Sequence, residues 1–191
     1  MSDSDAGFLA GRLLIAMPGI GDPRFERAVV FLCAHNAEHA MGLAVNRPVE
    51  GLSVPRLLKR LGVKCTIEMP QDLVMLGGPV ERERGFVLHT DDYVSPDSSL
   101  AVMPGIRLTA TRDVLEALAD QDSRPRRAIM ALGYAGWGAG QLEREIRENT
   151  WLTCDPDERL IFGDDHEHKW SEALAKLGIS AERLSSHAGR A

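Results

Sequence analysis

The stretch that most limits how this chain can fold runs from Ala128 to Trp151. An apolar, strand-like segment, Ala128-Ile-Met-Ala-Leu132, passes into Gly133-Tyr-Ala-Gly-Trp-Gly-Ala-Gly140, and a charged amphipathic segment follows at once. Four glycines so close together cost backbone entropy on folding. A chain keeps them where it needs a positive φ, or where something must approach the backbone closely. The pattern predicts a strand over 128–132, a glycine loop, and a helix over about 140–149. Two specific nucleotide readings of the loop fail. Gly136 and Gly138 begin a dinucleotide fingerprint, but Gln141 stands where its third glycine belongs. Gly133 and Gly138 have P-loop spacing without the lysine. Two general readings remain open: close packing of loop against sheet, or amides at a helix start that hold an anion or a carbonyl oxygen. In the second, Tyr134 and Trp137 flank the ligand, and Gln141 and Glu145 share the helix side nearest the loop.

The other apolar runs read as strands at 12–17, 28–34, 40–45, 73–76, 85–90, 99–103, 106–109, 150–153 and 159–162. The run at 28–34 is continuous and fits a strand buried on both faces. Its short polar link to 40–45 favours a hairpin. Pro48 breaks the ladder after Asn46-Arg47. Helices are expected at about 53–61 behind a Ser53 cap, after Thr111, and at about 167–177. Strands outnumber helices, and most neighbours are joined by short links. The expected fold is therefore α+β: one domain over 1–191, with a mixed, largely antiparallel sheet flanked by a few helices. Residues 1–9 and 185–191 are expected to be loose ends.

Charge and cysteine content exclude several functions. The formal net charge of the 191-residue chain is −6, and no run of four Lys/Arg exists. Direct DNA binding needs clustered basic residues, so the balance argues against it. The three cysteines form no CxxC and cannot all pair within the chain, which fits a reducing compartment. No apolar run reaches the roughly 18 residues of a membrane span. The expected location is the cytoplasm, with no membrane partner.

Several clusters carry possible chemistry. On a regular strand Cys33 and His35 point to one face, where the histidine can lower a thiol pKa. This gives a thiol-based redox sensor or enzyme as an alternative function; the bland reading is a buried cysteine beside loop histidines. Asp164-Asp-His-Glu-His168 looks like a ligand cluster, but its place before a helix favours capping, and no metal site is assigned. Asp22, Arg24, Glu26 and Arg27 sit at the mouth of the 28–34 strand and read as ion pairs.

Together the segments resemble the YqgE/AlgH family of bacterial proteins. The resemblance rests on Leu14-Ile-Ala-Met-Pro-Gly19, Phe25-Glu-Arg27 leading into Phe31-Leu-Cys-Ala-His35, and Met41-Gly-Leu-Ala-Val-Asn-Arg-Pro48. It also rests on Gly77-Gly-Pro-Val80, Gly85-Phe-Val-Leu-His89, and Leu132 through Leu142 with Glu145 through Trp151. It implies a single mixed domain with a curled sheet, and a label of transcriptional regulator drawn from a branch tied to alginate production. It implies no reaction and no cofactor. Cys33, Asn46, Arg47, Pro48, Gly136, Trp137 and Gln141 match its motif positions. The preferred expectation is a non-enzymatic regulatory module that binds a small molecule or a protein. Its ligand site is drawn from Arg24, Asn46, Arg47, Gly136, Trp137, Gly138 and Gln141.

Overall fold

The glycine-rich segment is a strand, not a loop. In the computed structural model, which describes residues 8–96 and 98–187, β9 (Ala128–Gly138) runs through every expected loop position before Ala139. It is the strand on which the sheet is assembled. Before it come β1 (Leu13–Ala16), β2 (Val29–His35), β3 (His39–Ala44), β4 (Pro48–Ser53), α1 (Val54–Arg60), β5 (Leu73–Leu76), β6 (Val80–Thr90), β7 (Ser99–Met103), β8 (Ile106–Thr109) and α2 (Arg112–Leu118). After it come α3 (Gln141–Arg147), β10 (Trp151–Cys154), α4 (Glu158–Phe162), α5 (Lys169–Lys176) and α6 (Ala181–His187).

The sheet runs β10-β1-β2-β3-β9-β6-β8-β7, with β4 carried on β5. One edge of β9 pairs with β6. The other edge is shared: Ala135 to Gly138 pair with β3, and Ala131 and Leu132 pair with β5. The β5–β9 pairing is parallel and the rest are antiparallel. This is the mixed, largely antiparallel α+β architecture that the strand pattern implies, with the sheet curled into a half-barrel.

Three apolar clusters fill the molecule, and β9 reaches all of them. The first holds Leu13, Phe31, Leu43 and Ala131 beneath Trp170, Ala173 and Leu174 of α5. The second holds Val30, Ala44, Ala135, Trp137 and Trp151 against Leu142 of α3. The third packs Leu58 of α1 and Val114 and Leu118 of α2 on Val74, Val87 and Met130. Ile129, Ala131 and Tyr134 all belong to the first cluster or pack on it. The step from 131 to 134 is odd, so the period-two alternation has taken up one extra residue. Gly133 supplies it, at φ 74°. Opposite lies the Gly77-Gly78 turn between β5 and β6. A Cβ on Gly77 would lie 2.3 Å from the Gly133 carbonyl oxygen, and one on Gly78 would lie 2.1 Å from the Tyr134 carbonyl carbon. Two backbones cross here with no room for a side chain.

Helix α5 is pinned by polar atoms as well. The Trp170 indole N–H donates to the Ala16 carbonyl at 2.8 Å. Lys169 is buried, and its Nζ donates to the carbonyls of Val45 (2.8 Å) and Ile161 (3.3 Å). Burial pushes its ammonium pKa down to about 8.

Some expectations fail. The 159–162 strand is helix α4, capped by Asp157, whose carboxylate accepts from the Arg159 N–H at 2.8 Å. The neighbours Leu160 and Ile161 both enter the first cluster, which a strand would forbid because it sends neighbours to opposite faces. Pro48 begins β4 instead of ending pairing. Asp164 and Asp165 do not cap α5: its N-cap is His168, without a side-chain cap bond. Ser53 does cap α1, but the Thr111 hydroxyl turns to Asp113 and makes no cap bond to α2. Of the expected loose ends, 1–7 and 188–191 lie outside the described residues. The Leu9 N–H donates to His35 Nδ1 at 3.0 Å, and α6 extends through residue 187.

Gly78→Ala is expected to destabilise the protein by about 3 kcal/mol or more, because backbone must move. Gly138→Ala meets only the Gln141 Oε1, at 3.9 Å, and is expected to stay within about 0.5 kcal/mol of wild type. Denaturant melts of the two variants test this. Lys169 gives a pH signature. Its folded pKa lies below the ordinary value of 10.5, so the cost of burying the charge is complete below about pH 8 and gone above 10.5. The stability of Lys169→Met relative to wild type should therefore fall by about 3 kcal/mol across that window.

Candidate functional site

The segment 22–27 is held over the sheet by two residues that the sequence assigned to ligand binding. Asn46 accepts from the Val29 N–H through Oδ1 (2.9 Å) and donates Nδ2 to the Arg27 carbonyl (2.8 Å). Arg47 donates to the carbonyls of Glu26 (2.8 Å) and Pro23 (3.4 Å). The Asn-Arg-Pro motif thus braces a loop, and the loop presents Arg24. Asp22 opens the short turn over Pro23–Phe25 by accepting from the Arg24 N–H at 3.0 Å. The Arg24 guanidinium also grips the Asp22 carboxylate, at 2.8 Å, and this hydrogen bond holds that carboxyl below its ordinary pKa.

Arg24 and Arg47 line one cleft of about 310 Å³ with Arg82, a residue from the other wall. Phe25, Ala44, Leu76 and Pro79 give the cleft its apolar surface. Among the described residues the Arg82 guanidinium has no acidic partner. With Arg24 balanced by Asp22, two uncompensated positive charges face this hollow in a chain of net charge −6. Backbone strain flanks it on both walls. Arg27 (φ 55°) and Glu81 (φ 47°) are non-glycine residues in the left-handed region. Each such residue costs on the order of 1 kcal/mol, and strain of this kind gathers at binding sites.

The glycine strand does not line this cleft. Gly136 and Trp137 border a separate groove of about 490 Å³ with Tyr134, Met41, Phe86 and Arg84. Gly136 also pairs with Met41 and Trp137 with Ala40 in the ladder to β3. The polar atoms beyond them are used internally. The Glu145 carboxylate accepts from Trp137 Nε1 (2.8 Å), Trp151 Nε1 (3.0 Å) and Gln141 Nε2 (3.1 Å). Gln141 Oε1 in turn accepts from the Gly138 N–H at 3.0 Å. Gln141 and Glu145 therefore lock α3 onto two tryptophans. An indirect link to the arginine cleft exists, since Phe25 meets Trp151 edge-on at 5.6 Å and Trp151 meets Trp137 at 5.8 Å.

Cys33 and His35 are not a pair. β2 bulges at Cys33: Leu32 is opposite Gly42, and Ala34 is opposite Met41. The bulge reverses the alternation, so the thiol enters the first cluster while His35 turns to α3. There His35 Nε2 meets Glu143 Oε1 at 2.6 Å. Glu143 is thereby directed to His35, not to Arg147 as helical spacing suggests. Burial pushes the Cys33 thiol up to about 12, opposite to what a nucleophilic thiol needs.

Sequence reasoning missed Arg82 and Phe25 as site residues. The Gly77-Gly78-Pro79 turn followed by Glu-Arg-Glu-Arg84 carried a signal, since a tight turn puts charged residues beside whatever it crosses.

Fold and site define a class: a curled α+β sheet with an arginine-lined cleft between a braced loop and a glycine turn. The chain belongs to the AlgH-like family (DUF179), which it matches over residues 13–182. It is 66% identical to a UPF0301 protein of Caulobacter vibrioides, covering 100% of this chain and 98% of that one. It is 51% identical to UPF0301 protein blr1492 of Bradyrhizobium diazoefficiens, covering 98% and 91%. Among solved structures, AlgH of Pseudomonas aeruginosa matches with a TM-score of 0.75 and 39% identity over 100% of both chains. DIP2367 of Corynebacterium diphtheriae matches in fold, with a TM-score of 0.69 at 17% identity, covering 86% and 84%.

Iodoacetamide is expected to leave Cys33 unlabelled at pH 8 in the native protein and to label it only in denaturant. Peptide mass spectrometry reads the difference, with exposed Cys65 as internal control.

Proposed function

We propose that this protein is a non-enzymatic regulatory module whose Arg24–Arg47–Arg82 cleft receives an anionic group, carried by a small molecule or by a segment of a protein partner. The observation that carries the reading is the convergence of guanidinium groups on one apolar-sided hollow with a net positive balance. Arginine suits carboxylate and phosphate because its planar fork donates two parallel hydrogen bonds. Strain at Arg27 and Glu81 supports it, since a loop braced in a costly shape is already ordered for its ligand. Any effect on transcription is then indirect and cytoplasmic, passing through the ligand or partner. Direct DNA contact lacks the basic surface it needs.

Calorimetric titration with citrate and inorganic pyrophosphate tests this. Binding should weaken as salt rises. Arg24→Glu and Arg82→Glu, both at exposed positions, should each lower affinity by about tenfold or more while the melting temperature holds. The reading fails if neither anion binds and the double variant captures the same partners as wild type. Arg47→Ala should also lower stability, by about 1–2 kcal/mol, because two loop carbonyls lose their donor.

A further inference from the structure

Three guanidinium groups and no carboxylate line the arginine cleft. The carboxylates near its rim are accounted for. Asp22 is held by Arg24, and Glu81 lies 3.5 Å from Arg84. Glu26 and Arg27 line a neighbouring hollow that shares Arg47. Glu83, the residue after Arg82, is exposed and is no part of the cleft lining.

Asp22 shows how much of this a carboxylate uses. Arg24 alone satisfies both of its oxygens, through Nε at 3.0 and 3.2 Å and Nη2 at 2.8 Å. Among the described residues Arg24 Nη1 bonds to nothing. Arg47 spends two of its five N–H groups on loop carbonyls, and Arg82 spends none within the described residues. The donors left on three forks exceed what one carboxylate can take. A phosphate monoester brings three strong acceptor oxygens and close to two negative charges, which matches both the three forks and the two uncompensated arginines.

The rest of the wall restricts what the phosphate is attached to. The side chains of Phe25, Ala44 and Leu76 are apolar, and Pro23 and Pro79 have no N–H to offer. A hydroxyl-rich body would give up its water here without replacement. A ring would not, and the Phe25 ring is itself braced edge-on by Trp151 at 5.6 Å. The hollow of about 310 Å³ is at the small end for ligand pockets, which span roughly 300–1,000 Å³.

We infer that the cleft takes a phosphate monoester of an apolar, ring-bearing alcohol, that is, an aryl phosphate. Its phosphate oxygens meet Arg24, Arg47 and Arg82, and its ring lies against Phe25, Leu76 and Pro79. This ligand class rests on the cleft's being an anion site, as proposed for its function.

Calorimetric titration of the full chain at low salt compares phenyl phosphate with benzoate, inorganic phosphate and glycerol 3-phosphate. Phenyl phosphate is expected to bind at least about tenfold more tightly than each of the others. The Asp22→Asn/Arg24→Gln double variant removes the ion pair without changing net charge, and asparagine still caps the turn. It should weaken phenyl phosphate by about tenfold and leave benzoate within about twofold. Arg82→Gln should also weaken phenyl phosphate by about tenfold, whereas Arg126→Gln, a charge removed elsewhere, should not. A phosphotyrosine tripeptide distinguishes the source: binding equal to phenyl phosphate makes it a protein side chain, and weaker binding makes it a free aryl phosphate. If pyrophosphate binds but benzoate or glycerol 3-phosphate matches phenyl phosphate, the ligand class is wrong and the anion site stands. An unaltered phenyl phosphate affinity in Arg82→Gln also overturns the assignment. If nothing binds, pyrophosphate included, class and site fall together.

Discussion

Everything in this molecule depends on a crossing of two backbones with nothing between them. Gly77 and Gly78 pass over Gly133 and Tyr134 so closely that a single methyl group would overlap carbonyl atoms. The crossing lets β5 and β3 share one edge of β9, and it makes room for the extra residue that reverses the strand's alternation. Without that reversal, Trp137 and Ala135 would face the first cluster, and the cluster that α3 covers would lose both of them. Close approach at glycine is thus the condition for three packed layers on one curled sheet.

The same device brings the candidate cleft together. The turn that crosses β9 continues into Pro79 and Arg82, one wall of the hollow. The opposite wall is the 22–27 loop, held by Asn46 and Arg47 through main-chain bonds. One wall is a loop fixed by a rigid neighbour, the usual placement of binding residues; the other leads from the glycine turn into the first residues of β6, where the register with β9 shifts between Val80 and Gly85. The positive charge of the cleft is local, in a chain whose formal net charge is −6.

The strands were legible because burial here follows simple patterns. The continuous apolar run of β2, the Pro-Gly turn between β7 and β8, and the short link between β2 and β3 each left a local mark. The failures come from tertiary context. Gly133 to Gly138 read as a loop because glycine lowers strand propensity, yet the partners of β9 supply the ladder that propensity lacks. Leu160 and Ile161 read as a strand by composition and fold as a helix because both must reach one cluster. For the candidate site, Arg24 and Arg47 were legible from their position at strand ends, and the structure brings them together. Arg82 was not, because nothing local says that a turn more than thirty residues on closes over them. Gly136, Trp137, Gly138 and Gln141 were singled out for a real peculiarity whose main use is internal. The Cys33–His35 pairing failed because a one-residue bulge has no sequence mark.

The chain's first strand and its last long helix belong to one cluster. Leu13 and Ile15 are buried beside Trp170 and Leu174, and the Ala16 carbonyl takes its bond from the Trp170 indole. β1 is also flanked by β10, which leaves the ribosome more than a hundred residues later. A ribosome therefore releases the opening strand long before its cover exists. Until residue 174 has emerged, one side of β1 stays bare, and the nascent chain has to be kept from sticking to its neighbours during that interval.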